Sequence, residues 1–126
     1  MYLDTLENQN YTNFHVVMTD DVSTDNSTIG ILKLVEEKYP RLSRRLTILR
    51  TKNFIGMLGN HDIEIRNFCR EGELVVEVDG DDSLIGRQVM KLLNAYYTDH
   101  PESWIVYANM LLNPGKHEQP PENLYE

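Results

Sequence analysis

The sequence predicts an α/β fold, a mainly parallel sheet flanked by helices. Three observations predict it. Short apolar runs rich in strand formers alternate with longer amphipathic stretches along the 126 residues. Strand, helix, strand, helix at this spacing requires right-handed crossovers, which lay strands parallel under a cover of helices. Two acidic clusters, Asp20-Asp21 and Asp79 to Asp82, each directly follow an expected strand. Ligands of such sheets bind beyond the carboxyl ends of the strands, so the fold brings both clusters to one rim.

Taken in order, Leu3 and Leu6 sit at helical spacing in residues 2–9, which read as the end of a helix. Phe14 to Met18 is a short apolar run with strand propensity. A polar loop, Thr19 to Ser27, follows, and Asp25 or Ser27 is placed to cap the next helix. In that helix Ile31, Leu34 and Val35 share a face, and Tyr39-Pro40 ends it. Leu46 to Arg50 reads as a second strand. Residues 57–70 read as a helix with Leu58, Ile65, Phe68 and Cys69 on one stripe. Arg70 to Gly72 is a turn, Leu74 to Val78 a third strand, and Asp79 to Asp82 a loop. Ile85, Val89, Leu92, Leu93 and Tyr96 form the clearest helical stripe. Trp104 to Ala108 reads as a fourth strand. The domain is expected to span residues 1–112, with a loose tail over 113–126 that carries Pro114, Pro120 and Pro121.

Composition narrows the class. With 40% hydrophobic and 25% charged residues the chain reads as a globular protein with a single core. A net charge of -8 argues against a general nucleic-acid binder, which needs a basic surface to pair with phosphates. A small phosphorylated ligand is still compatible, because a metal held by carboxylates carries the positive charge. The single cysteine, Cys69, permits no internal disulfide. No apolar run reaches the ~20 residues of a membrane span. Nor does the start of the sequence resemble a signal peptide. A cytoplasmic-facing location is expected.

The acidic rim carries the chemistry. Asp79, Asp81 and Asp82 lie within four residues and repel one another unless a cation or donors compensate. Asp79 and Asp81 can both reach one ion. Mn²⁺ or Mg²⁺, hard cations that bind through carboxylates plus substrate phosphates, suit such a site. Gly80 gives the backbone room to turn. Asp20 and Asp21 are acceptors for ligand N–H or hydroxyl groups one loop away. A solvated turn leading into a helix cap is the competing reading of the tetrad.

Four phrases of the sequence together resemble one family. Tyr2 to Phe14, with its Asn8-Gln9 and Tyr11-Thr12-Asn13-Phe14, resembles a helix end of the family 2 glycosyltransferases. Thr19 to Ser27 resembles that family's Asp-Asp-Gly-Ser-Thr-Asp loop. Asn53 to Asn60 is similar to its Asn- and Gly-containing stretch before a helix, and Val75 to Asp82 to its metal-binding DxD segment. Order and spacing agree over about residues 2–112. The resemblance implies a partial GT-A fold, the Rossmann-like nucleotide-diphospho-sugar transferase architecture, and an inverting transferase. Its donor would be a nucleotide-diphosphate sugar and its acceptor a glycan, lipid or protein. It places Asp20, Asp21, Asn53, Gly56, Asn60 and Asp79 around the nucleotide sugar, with Asp21 at the base or ribose. Asp79, Asp81 and Asp82 would hold the metal, which stabilises charge on the leaving diphosphate. An acceptor hydroxyl would attack the anomeric carbon, helped by a general base.

The sequence departs from the family in three places. The family's first strand, which precedes the helix at residue 2, is absent. Val22 stands where the family carries glycine, and a β-branched residue disfavours a positive φ. The acidic base of the family lies downstream of the last residue. The expectation is therefore a fragment, a truncated product or a remnant without its catalytic base.

Other residues have local readings. His61 falls on an apolar helix stripe and reads as a partly buried histidine, with a donor contact at the helix N-terminus as the alternative. Arg41, Arg44 and Arg45 read as a solvated basic cluster; Lys52 and Arg66 are secondary donor contacts. Cys69, Trp104 and Tyr107 read as packing residues. Two alternative functions stay open. One is a non-catalytic nucleotide- or metal-binding module of the same fold. The other is a receiver-like signalling domain, for which the strand-end lysine is missing.

Overall fold

The computed structural model describes residues 2–107. It shows an α/β arrangement built on two parallel strands flanked by helices. The elements in order are α1 (Tyr2–Glu7), β1 (Val16–Asp20), α2 (Ser27–Lys38), a 3₁₀ turn (Leu42–Arg44), β2 (Leu46–Arg50), α3 (Gly56–Phe68) and α4 (Val89–Asp99). β2 falls where expected, while β1 begins two residues later than the expected Phe14 to Met18 and takes Asp20 into the strand. Val16 pairs with Leu46 and Asp20 with Arg50, in register throughout.

The core sits in the first half of the chain. Leu3, Leu6, Val16, Val35, Tyr39 and Leu42 are its buried apolar members. Alternation along β1 sends Val16 and Met18 to this side and Thr19 to the other, where its hydroxyl donates to Glu64 of α3. One buried polar side chain, Gln9, stitches α1 to the segment before α4. Its amide donates to the Thr5 carbonyl at 3.1 Å and the Gly86 carbonyl at 2.8 Å. Its oxygen accepts from the Met90 amide at 3.2 Å. The backbone repeats the link, from Asn10 N to the Arg87 carbonyl at 2.6 Å.

Arg41 departs from its expected solvated role. Its guanidinium donates to the carbonyls of Glu7, Gln9 and Tyr11 at 2.7, 3.1 and 3.2 Å. The Glu7 carboxylate in turn accepts the amides of Arg41 and Leu42. A planar, multi-donor group is what a cluster of three carbonyls selects. Arg45 lies over the Phe14 ring, 5.3 Å from its centroid.

The expected third and fourth strands are not formed. Leu74 to Val78 is irregular, and Leu74, Val75 and Val76 are exposed. Trp104 to Tyr107 is likewise irregular and exposed, with Trp104 at 93%. Ala108, the end of that run, and the expected tail over 113–126 lie outside the described residues. The physical reason is that a strand exists only against a neighbour. The sheet among the described residues is β1–β2 alone, so these runs have propensity but no ladder. The helical stripes are corrected in the same way. Leu58 is 78% exposed and Leu92 66%, and neither α3 nor α4 buries a residue. Ile85 precedes α4 and is exposed.

Candidate functional site

The rim at the carboxyl end of the sheet begins with Asp20 and Asp21, and they diverge. Asp20 is the last residue of β1 and turns toward α2. Its carboxylate accepts the Ser23 amide at 2.7 Å and the Thr28 hydroxyl, with the Arg50 Nε 3.5 Å away. The Thr28 and Ser23 donors hold its pKa down to about 2.

Asp21 turns toward the loop that opens α3. It accepts the Thr51 hydroxyl at 2.8 Å, the Ile55 amide at 3.1 Å and the Gly56 amide at 2.8 Å. Burial works against its charged form. The donors of Thr51, Ile55 and Gly56, with Asn60 contributing, outweigh that and hold the carboxyl below its usual range. Asp21 thus places a negative charge at the N-terminus of α3, where the helix dipole and free amides favour one. Gly56 reaches its position with φ 72°, which few other residues adopt. At Gly59 a Cβ would stand 3.0 Å from the Ile55 side chain, so a larger residue there requires Ile55 to give way.

The loop between the two aspartates and α2 is strained. Val22 takes φ 69° although the sequence argues against it. Left-handed backbone at a β-branched residue persists where its surroundings fix it. Here the Ser23 amide is held by Asp20 and the Ser23 carbonyl accepts the Arg50 guanidinium at 2.6 Å. The expected cap is not formed: the N-cap position falls to Asn26, in left-handed backbone with φ 61° and no side-chain cap hydrogen bond, while the Asp25 carboxylate accepts the Ser27 amide at 3.0 Å just outside it.

The second cluster is a solvent-facing turn. The Asp82 amide donates to the Asp79 carbonyl at 3.0 Å, and Asp79, Asp81 and Asp82 are all exposed. Among the described residues, no three His, Cys, Asp or Glu side chains converge as a metal-binding group. His61 Nε2 lies 3.2 Å from Glu77 Oε1, tying the segment before Asp79 to the second turn of α3. With a rise of about 1.5 Å per residue, that contact is roughly 8 Å along the helix from Gly56 and the Asp21 carboxylate. His61 is part-buried, as its stripe position suggests.

Asn53 and Lys52 are exposed in the loop before α3, and Arg66 is paired with Asp62 at 2.6 Å. Asn60 keeps one buried side-chain oxygen without a hydrogen-bond partner. A cavity of about 100 Å³ opens beside Asp20, lined by Met18, Ser27, Thr28, Ile31 and Ile48 among others. It is too small for a nucleotide, since ligand pockets of that class start near 300 Å³. Sequence reasoning missed Ser23, Thr28, Arg50 and Thr51, the partners that divide the aspartate pair. One signal was present: adjacent residues at a strand end set out toward opposite faces, which is how Asp20 comes to meet the α2 side and Asp21 the α3 side. Compared with protein-family models, curated proteins and solved structures, the chain matches none.

Proposed function

We propose that this chain is the donor-binding part of a glycosyltransferase of the family 2 type, one that takes a nucleotide-diphosphate sugar. The observation that supports the reading most is the Asp21 carboxylate at the sheet rim, anchoring the loop that opens α3. This joins two of the four phrases that carry the family resemblance through a contact between residues more than thirty positions apart. The His61–Glu77 contact brings the Val75 to Asp82 phrase toward the same helix.

The Asp79 to Asp82 turn fits a hard divalent cation by donor type. All three carboxylates are exposed and none has a protein hydrogen-bond or ion-pair partner among the described residues. Asp79 and Asp81, with Asp82 beside them, would hold Mn²⁺ or Mg²⁺, which supplies charge neutralisation at the diphosphate. The chain's own residues do the rest of the binding. Asp21 sets the loop, Asn53 offers an amide beside it, and Gly56 and Gly59 keep the helix entrance clear. Asp20 acts through the Ser23–Thr28 loop and is a positioning residue in this reading.

Isothermal titration with UDP in the presence of Mn²⁺ tests the proposal. Binding is expected with Mn²⁺, and at least about tenfold weaker in Asp79→Ala/Asp81→Ala protein, the loss of one charge-assisted contact or more. Equal binding by the double variant removes the metal role. No UDP binding by the folded wild-type chain removes the donor role.

A further inference from the structure

We propose that the Asp79 to Asp82 turn is a strap held between two anchors, and that a divalent cation on the turn and the seating of residues 84–90 against α1 favour each other. The inference rests on the cation role given above to these aspartates. The downstream anchor begins two residues after Asp82. The Leu84 amide donates to the Thr5 hydroxyl at 3.3 Å, and the Leu84 side chain packs against the core. Gly86, with φ 85°, then turns the chain, and its carbonyl accepts the Gln9 amide at 2.8 Å. The Met90 amide donates to the oxygen of the same Gln9 side chain at 3.2 Å. Gln88, at the N-cap of α4, makes no side-chain cap bond, so Gln9 satisfies one of the amides that a helix start leaves free. Gln9 itself is wholly buried. The upstream anchor is the His61–Glu77 contact, two residues before Asp79.

The two anchors restrict one short segment. Fixing a free turn around an ion costs backbone entropy for every residue ordered. Here Glu77 is already placed on α3 and Leu84 on α1. Asp82 stands within about 7 Å of the Leu84 anchor, the reach of two residues. Repulsion among Asp79, Asp81 and Asp82 works the other way: without a counter-charge it pushes the turn open and pulls on both anchors. The anchors are unequal. The Glu77 side chain is 59% exposed, and an exposed pair of this kind contributes little. The downstream anchor holds a buried amide. Seating of residues 84–90 is the state in which the turn is preset, so a cation that binds the preset turn more tightly shifts the balance toward seating. Linkage makes the effect reciprocal. Thr5, Gln9 and His61 act through the backbone of the turn and are positioning residues.

The test uses the whole chain with Mn²⁺ alone, followed by the loss of the free-ion EPR signal on binding. The site is the one lost in Asp79→Ala/Asp81→Ala protein. Circular dichroism confirms that each variant is folded. Gln9→Ala is expected to weaken Mn²⁺ binding about fivefold or more. Thr5→Val, which keeps the side-chain shape, and His61→Ala are each expected to weaken it about twofold, and His61→Gln, which keeps a donor for Glu77, less than His61→Ala. Leu42→Ala disturbs the core but not the strap and is expected to bind as wild type does. In wild-type protein Mg²⁺ is expected to slow hydrogen exchange about fivefold at the Asn10 amide, which donates to the Arg87 carbonyl and is distant in sequence from the turn. Equal Mn²⁺ affinity in wild type, Gln9→Ala and Thr5→Val overturns the proposal and leaves the cation role standing. So does an equal loss in Leu42→Ala, or an Asn10 amide indifferent to Mg²⁺. Absence of Mn²⁺ binding by the folded wild-type chain removes the cation role and this proposal with it.

Discussion

The two halves of this molecule obey different rules. Residues 2–50 hold the core: among the described residues every buried apolar one lies between Leu3 and Leu42. Buried and half-buried polar groups there have named partners, as with Gln9, Glu7, Arg41 and Asp20. Residues 51–107 contain two well-formed helices that bury nothing fully. Fifteen of the eighteen exposed large apolar side chains among the described residues follow residue 50. Both halves have similar apolar patterning. The difference lies in what each pattern meets. A βαβ unit supplies its own second layer, whereas a helix stripe or a lone strand run has to find one elsewhere.

The sharpest way to break this comparison is a matched pair of truncations. Leu42→Ala, at a fully buried site, is expected to lower unfolding stability by about 3 kcal/mol in urea titrations, and Leu58→Ala by roughly 0.5 kcal/mol or less. Equal losses would mean that the second half is packed in solution. Next comes the join between the halves. Gln9→Ala strips partners from the Gly86 carbonyl and the Met90 amide and is expected to cost about 2 kcal/mol. Hydrogen exchange should show the loss first in α4.

A gain is expected from Val22→Gly. Relief of the left-handed backbone is worth about 1 kcal/mol after the added freedom of glycine in the unfolded chain is subtracted. A fall in thermal midpoint would show that the Val22 side chain contributes more than its backbone costs. The smallest effect is a change of slope with pH. Asp20 titrates near 3.8 when unfolded and about 2 in the fold. Its depressed pKa favours the folded state above about pH 4, and that contribution fades as pH falls from about 4 to 2. Asp20→Asn should flatten stability across this window. An unchanged slope would mean that the Ser23 and Thr28 contacts do not persist in solution.

Local pattern made much of the first half legible. Strand formers at 14–18 and 46–50, with an amphipathic helix between them, specify a parallel pair without reference to anything distant. α3 and α4 were legible as helices for the same reason. The exposure of their stripes was not, because burial depends on a neighbour that periodicity does not name. Leu74 to Val78 has strand composition, yet a ladder requires a second chain segment in register. At the site, the clustering of aspartates was visible and their division was not. Asp21 meets Thr51, Ile55 and Gly56 across thirty or more residues. Val22 marks a different limit: propensity argued against φ above zero, and two tethers on Ser23 overrode it.

Gln9 also bears on the order in which the chain comes apart. The segment 84–99 reaches the rest through that amide, the Asn10 and Arg87 contacts, the Thr5–Leu84 and Tyr11–Asn94 hydrogen bonds and the partial packing of Leu84 and Met90. Gln9 is the buried member of this set, and the others are part-exposed or exposed. α4 therefore behaves as a separate cooperative unit, detaching at a lower free energy than the βαβ unit it rests on. A protease that cuts near residue 86 would sample this opening long before global unfolding.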